Sequence, residues 1–212
     1  MACKICNLRR PRRSCPGVGG EICSVCCGTE REVTVSCPLD CAYLREARTH
    51  EKPPRVDPQQ IPNLDIEVSD SFLREREALV AFLMQAVAEA GLRTPKAVDY
   101  DLRAALDALV RTCRTRETGL YYETRPDNLL AAAVLDRIQK SLEEFRKAAA
   151  KRHGIEVTRD ADVLGVLVFL QRIEYQINNG RQRGRAFLDF LRSQVESAPG
   201  PQTQPGSSLV LP

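Results

Sequence analysis

The stretch CKICNLRRPRRSCPGVGGEICSVCCGTEREVTVSCPLDC, residues 3–41, contains eight of the nine cysteines of this 212-residue chain. They are Cys3, Cys6, Cys15, Cys23, Cys26, Cys27, Cys37 and Cys41, and they include two C-x2-C pairs and one C-x3-C pair. Such short spacings let two sulfur atoms approach one ion at about 2.3 Å without stretching the backbone. Because eight thiols divide without remainder into two tetrahedral sites, the spacing predicts two zinc ions.

The same stretch has few large apolar side chains, so it cannot form a core that offsets the chain entropy lost on folding. A structural zinc ion supplies roughly 10–16 kcal/mol of coupled binding and folding energy. Four thiolates close the coordination shell, which predicts structural rather than catalytic metal. An iron–sulfur cluster is a less favoured alternative. A redox C-x2-C motif is less favoured still, because the chain lacks the βαβ pattern that surrounds such motifs.

Local patterns within the stretch suggest how it folds. Residues 32–35 (EVTV) alternate like a short strand. A short helix is predicted to begin at Cys41, with Asp40 as its N-cap. Asn7 and Gly28 directly follow cysteines, and both residue types tolerate the positive φ of a tight metal-binding knuckle. A knuckle, a hairpin and a ligand-bearing helix together predict a treble-clef-like fold.

The order of a C-x2-C pair, a basic spacer, a Cys-Pro, an I-C-S-x2-C and a final cysteine pair resembles the cross-braced MYND and HIT zinc fingers. In those families the first and third ligand pairs hold one ion, and the second and fourth hold the other. The resemblance implies one set of Cys3, Cys6, Cys23 and Cys26, and a second set of Cys15, Cys27, Cys37 and Cys41. The adjacent Cys26 and Cys27 can exchange roles. Unlike most members, this chain has no late histidine ligand and only Cys15 between Cys6 and Cys23.

Outward from the cysteine-rich module, predicted as residues 1–50, composition changes twice. Residues 51–66 begin with a segment containing four prolines and predict an extended linker. Residues 67–197 carry apolar residues at helical spacing, and residues 198–212 are rich in Pro, Gly and polar residues, which predicts a disordered tail.

Five helices are predicted in residues 67–197. They span about residues 70–91, a segment after Pro95, a segment after Asn128, residues 160–176 and residues 185–195. The fourth is apolar nearly all round, which indicates a central, buried helix. Cys113 falls on the apolar face of the second helix, so we expect it to be a core residue and not a ligand. The predicted fold is mainly α, an irregular bundle of about five helices behind a two-zinc module.

Charge is distributed unevenly. Residues 1–56 carry ten Lys or Arg against six Asp or Glu, a net charge of +4, and the remainder has a net charge of −1. The excess includes Arg9, Arg10, Arg12 and Arg13, in the spacer between two cysteines. No apolar run is long enough for a transmembrane helix, and the first residues have no apolar signal core. Unpaired cysteines in such a chain predict a cytoplasmic protein that keeps its thiols reduced.

These features predict a non-enzymatic zinc-binding adaptor that contacts a protein partner through Arg9, Arg10, Arg12 and Arg13. Two alternatives remain open at this stage. The first is a nucleic-acid-binding protein that uses the same arginines together with the basic loop GRQRGR at residues 180–185. The second is an enzyme with its site in the helical domain, near Tyr121, Tyr122 and Glu123. The sequence does not indicate the oligomeric state.

Overall fold

The computed structural model describes residues 2–52, 54–119, 122–153 and 158–197. Within them the chain forms eight α-helices and one small antiparallel sheet. The prediction of a mainly α protein with a cysteine-rich N-terminal cluster is confirmed. The predicted tail, residues 198–212, lies outside the described residues.

The module begins with a hairpin. Strand β1 (Arg13–Cys15) pairs with β2 (Gly20–Ile22), and Ser14 lies opposite Glu21. A short 3-10 turn and Gly19, whose φ is +61°, reverse the chain between them. Two short helices follow, α1 (Ser24–Thr29) and α2 (Ala42–His50).

Three local predictions in the module are wrong. Residues 32–35 form a turn and not a strand, because the Glu30 carbonyl accepts the amides of Val33, Thr34 and Val35 and closes the chain on itself. The N-cap of α2 is Cys41. The Asp40 carboxylate instead accepts a hydrogen bond from Arg192 at 2.8 Å. Gly28 lies inside α1, whereas Asn7 has the expected positive φ of 55°.

The bundle contains α3 (Asp70–Glu75), α4 (Glu77–Leu92), α5 (Asp99–Glu117), α6 (Leu129–His153), α7 (Asp160–Ile177) and α8 (Ala186–Ser197). Helix α7 packs against α4, α5 and α8, and nearly all of its residues from Val163 to Leu170 are buried. The prediction that this helix is the central one is therefore confirmed. The predicted first helix is broken at Arg76, whose φ of −119° and ψ of 25° leave the helical region. The Arg76 guanidinium there binds Asp162 at 2.6 Å.

The proline-rich segment after the module lies along α5 and α7. Arg172 of α7 donates to the carbonyls of Pro62, Asn63 and Ile66. Arg114 of α5 donates to the side chains of Asn63 and Asp65, at 2.8 Å in each case. These contacts fix the segment on the bundle surface, although the predicted domain boundaries themselves stay a prediction.

The module also packs directly on the bundle. Leu39, between Cys37 and Cys41, is buried in the same apolar cluster as α4 to α8. Arg48 of α2 pairs with Asp189 of α8, and Arg183 donates to the Ser36 hydroxyl at 2.9 Å. The two regions therefore share an interface of one apolar anchor and several polar contacts. Among the described helices, none has the length and apolar character that a membrane span requires.

Candidate metal centre

Four cysteines of the module meet at one point. The sulfur atoms of Cys3, Cys6, Cys23 and Cys26 all lie within 4.8 Å of one another. These are the residues that the resemblance assigned to the first ion, and the cluster can hold a metal ion. Cys26 thus belongs to this group and not to the second one.

Backbone hydrogen bonds hold the cluster. The Asn7 amide donates to the Cys3 carbonyl at 2.8 Å, and the Cys3 amide donates to the Arg9 carbonyl at 3.0 Å, which closes the first knuckle. The Lys4 amide then donates to Glu21 of β2. Cys23 caps the N-terminus of α1, where its sulfur accepts the Cys26 amide at 3.4 Å, and Cys26 lies in the first turn of this helix.

The electrostatics of the cluster call for a cation. Burial raises the pKa of the Cys3 thiol, but amides of Cys6, Cys23 and Ile5 directed at its sulfur outweigh burial and lower the pKa to about 6. Burial and the three neighbouring sulfurs raise the pKa of Cys26 to about 12. Negative charge on one of these sulfurs therefore disfavours negative charge on its neighbours. A divalent cation at the centre of the four sulfurs would remove this conflict.

The other four module cysteines line a small cavity of about 20 Å³. They are Cys15 of β1, Cys27 of α1, Cys37 and Cys41, and they lie beside Tyr43 and Leu44. Among the described residues they do not form a second group with all sulfurs within 4.8 Å. The structure therefore places the predicted second set around one small cavity, which is slightly larger than one water molecule needs.

The four arginines of the knuckle differ in their surroundings. Arg13 is half-buried, donates to the Cys27 sulfur at 3.2 Å and lies over the Tyr43 ring. Arg9 is exposed, and the nearby Cys23 sulfur raises its pKa. Arg10 and Arg12 are also exposed, and within the described residues neither makes an ion pair. The predicted partner-binding set thus contributes three exposed cations, of which Arg9 lies beside the first cluster.

Beside these cations the structure exposes apolar groups that the sequence reasoning missed. The Leu8 side chain is 85% exposed, at the tip of the first knuckle. Val25, in the first turn of α1, is 48% exposed. The sequence signal for the exposure of Leu8 was its position directly after Asn7, a residue type that tolerates the positive φ of a tight knuckle.

Apart from the knuckle arginines, the residues predicted for the two alternative functions lie outside the cysteine-rich module. Tyr121 lies outside the described residues, Tyr122 is 68% exposed, and Glu123 accepts hydrogen bonds from Arg125 and Gln139. In the basic loop of residues 180–185, the side chains face the module: Arg181 pairs with Glu51 at 2.7 Å, and Arg183 contacts Ser36.

The residue that sequence reasoning assigned most incorrectly is Glu32. It was expected in a strand, but its side chain is fully buried between the module and this loop. No local signal identifies it, because three of its partners lie about 150 residues away in the chain, and only Arg48 is nearer.

Comparison with protein-family models, with curated proteins and with solved structures gives no match to this chain.

Proposed function

We propose that the chain is a non-enzymatic, zinc-binding adaptor whose N-terminal module holds two structural zinc ions and presents a surface to a protein partner. The observation that carries the proposal is the cluster of Cys3, Cys6, Cys23 and Cys26, with all four sulfurs within 4.8 Å. Four thiolates suit zinc and leave no open coordination position for water or substrate.

The second ion is assigned to Cys15, Cys27, Cys37 and Cys41. The small cavity that these residues line supports this assignment, because its volume of about 20 Å³ leaves room for a single ion. Arg13 and, at 4.0 Å, Arg31 place two guanidinium groups against the Cys27 sulfur. Positive charges beside a ligand sulfur would offset the negative charge of a thiolate-bound metal centre.

Net charge separates an adaptor from a nucleic-acid-binding protein. A zinc ion bound by four thiolates forms a centre of net charge −2, so two such centres offset the net charge of +4 on residues 1–56. Arg13 donates to the Cys27 sulfur, and the nearby Cys23 sulfur raises the pKa of Arg9. The basic excess therefore balances the metal centres, and Arg10 and Arg12 are the exposed knuckle arginines that lie beside no sulfur among these contacts.

The surface offered to a partner is formed by Leu8, Arg10 and Arg12, with Val25 exposed on α1 of the same module. An exposed leucine flanked by guanidinium groups suits a protein segment that combines an apolar side chain with a carboxylate. It lacks an aromatic side chain on which a base could stack. The bundle gives the module a rigid platform.

Metal content tests the first half of the proposal. Protein purified under reducing conditions should contain two zinc ions per chain, and X-ray absorption should give all-sulfur coordination near about 2.3 Å. At most one ion per chain, or a brown protein that contains sulfide, would contradict the assignment.

A salt titration tests the second half. Labelled single- and double-stranded DNA and RNA should bind weakly to the zinc-loaded protein, whereas a protein partner should tolerate 0.3 M salt, a condition chosen at roughly twice physiological ionic strength. A triple variant, Leu8→Ser, Arg10→Ala and Arg12→Ala, should lose that partner. A matched variant in exposed bundle arginines, Arg74→Ala with Arg93→Ala, should keep it. Tight nucleic-acid binding that falls by about 0.9 log unit per contact per log unit of salt would overturn the adaptor proposal.

A further inference from the structure

Glu32 lies in the turn between Cys27 and Cys37, and its side chain is completely buried. Its φ of +55° is a left-handed conformation that residues with a Cβ atom seldom adopt. A buried carboxylate in a disfavoured backbone conformation persists only when its surroundings over-determine it.

The carboxylate is bound mainly by the bundle. Its Oε2 accepts from the Asn179 side-chain amide at 2.9 Å and lies 3.5 Å from Arg181. Its Oε1 accepts from the Arg185 backbone amide at 3.1 Å. The main-chain carbonyl of Glu32 accepts from the Arg183 amide at 2.8 Å. Residues 178–185 thus bind both the side chain and the backbone of one glutamate.

The binding loop is organised by its own domain. The Asn178 side chain accepts from the Gly180 amide, and the Asn179 side chain accepts from the Arg181 amide. The Gly184 carbonyl accepts from the Asp99 amide of α5 at 2.9 Å. This loop is therefore a preformed receptor, and the module supplies the carboxylate that fills it.

Within the module, Glu32 lies in the chain between Cys27 and Cys37, two members of the second cysteine set. Burial raises the pKa of the Cys37 thiol, while a hydrogen bond from the Glu32 backbone acts in the opposite direction. Arg48 of α2, which follows Cys41, donates to Glu32 Oε1 at 2.7 Å. Glu32 is thus held by the bundle and by Arg48, within the segment that joins Cys27 to Cys37.

We infer that residues 178–185 form a carboxylate receptor for Glu32, and that docking of Glu32 and metal binding at Cys15, Cys27, Cys37 and Cys41 strengthen each other. The inference rests on the proposed second zinc site. Hydrogen bonds to the Glu30 carbonyl close the turn that carries Glu32, and an ion that joins Cys27 to Cys37 would restrict both ends of the same segment. Because linkage is reciprocal, Glu32 docking must also strengthen metal binding at this centre.

The test uses the full-length, zinc-loaded chain and a competing chelator that removes the two ions stepwise. Glu32→Gln keeps the size of the side chain but removes its charge. The new NH2 group then faces the N–H donors of Arg48 or Asn179, so one hydrogen bond is lost. We expect the affinity for one ion to fall by about tenfold or more, within the range typical of coupled sites, while the other ion is retained as in the wild type. Glu21→Gln, at an exposed acid on β2, is the matched control and should change neither.

Amide hydrogen exchange identifies the ion concerned. At one ion per chain, residues 36–41 should exchange faster and residues 3–9 should stay protected. The amides of Arg183 and Arg185, which donate to Glu32, should lose protection together with residues 36–41.

A second variant approaches the contact from the bundle. Asn179→Ala removes a donor to Glu32 and leaves every cysteine of the module in place. It should weaken the same ion as Glu32→Gln. Unchanged affinities in both variants, or equal weakening of both ions, would overturn the coupling. A wild-type protein with fewer than two zinc ions would instead contradict the proposed function, whereas two ions with no effect of either variant would contradict only the coupling.

Discussion

The module and the bundle have cores of different chemistry. The module has two small buried clusters, one of Cys3, Ile22, Cys23 and Cys26, the other of Val35, Cys37 and Leu44. The bundle has a continuous cluster of Leu, Val and Ala side chains from α4 to α8, which includes Cys113. More than half of the buried module side chains in these clusters are sulfur ligand candidates, so the module lacks the apolar area that stabilises the bundle.

The two regions also differ in how they satisfy buried polar groups. In the bundle, Asp99 accepts the amides of Phe187 and Leu188 at the start of α8, and Glu174 binds Arg103 at 2.7 Å. Both partners of each contact belong to the bundle. The buried Glu32 of the module is bound by Arg48 of its own region and by three residues of the bundle loop. The module therefore needs the bundle to satisfy this carboxylate, whereas the bundle satisfies Asp99 and Glu174 by itself.

Metal removal is expected to produce the largest difference in stability between the two regions. Excess chelator under reducing conditions should unfold residues 2–50, because a structural zinc ion supplies roughly 10–16 kcal/mol of coupled binding and folding energy. Helices α4 to α8 should stay folded, since their apolar cluster contains only Leu39 from the module. Amide hydrogen exchange with and without chelator measures both regions in one experiment.

Re-addition of zinc should restore protection in the module, which excludes irreversible thiol oxidation as the cause. If α4 to α8 lose protection together with the module, the two regions form one cooperative unit and the contrast between them is wrong.

The sequence predicted the parts that depend on local pattern. Apolar spacing gave α5 to α8, and Asn128 and Gly180 ended or began helices where expected, with Gly180 at a φ of +69°. Cysteine spacing predicted the two close pairs of the first cluster, because cysteines separated by two residues must lie close together whatever the rest of the fold. That these two pairs share one site was implied by the resemblance to cross-braced zinc fingers.

Long-range contacts could not be predicted in the same way. The helix break at Arg76 depends on Asp162, and the burial of Glu32 depends on Asn179. Each partner is far away in sequence, and neither residue type signals the contact. The knuckle arginines show the same limit, since the sequence does not indicate that Arg13 is the one that donates to a sulfur of the second cysteine set.

A smaller effect is expected from pH at Asp99 in the bundle. Burial raises the pKa of this carboxyl to about 7, although the amides of Phe187 and Leu188 act in the opposite direction. Its unfolded value is about 3.9. A pKa raised by folding contributes stability that is complete below about pH 4 and is lost as pH rises toward 7. From pH 5 to 8 the contribution should fall by about 2–3 kcal/mol.

Asp99→Asn cannot ionise, so its bundle should show a weaker fall in unfolding free energy over the same pH range. Hydrogen exchange of amides in α5 and α8, with zinc in excess, measures this difference. The difference in unfolding free energy between the variant and the wild type at each pH cancels the pH dependence of the metal centres, which both proteins share. Asp127→Asn, at an exposed residue, should follow the wild type. A parallel pH dependence in Asp99→Asn and the wild type would contradict the assignment of the effect to Asp99.

The smallest effect on stability is expected at Cys113, the buried cysteine of the bundle. It tests whether sulfur acts as an apolar core group in the bundle and as a metal ligand in the module. Cys113 is buried, four residues after Leu109 on α5, and burial raises the pKa of its thiol to about 11. It should therefore act as an apolar side chain. Cys113→Ala should cost about 1 kcal/mol of unfolding free energy, as a small truncation of the core.

The choice of replacement distinguishes packing from ligation. At Cys113, Ser should be worse than Ala, because it places a hydroxyl among apolar side chains at a cost of about 1–3 kcal/mol. At Cys37, Ser and Ala should be equally harmful, because neither supplies a thiolate and each should lose one zinc ion. Thermal unfolding of the bundle and zinc content, measured on all four variants, separate the two behaviours. Zinc lost from Cys113→Ala, or retained in Cys37→Ser, would show that ligand and core cysteines have been assigned to the wrong regions.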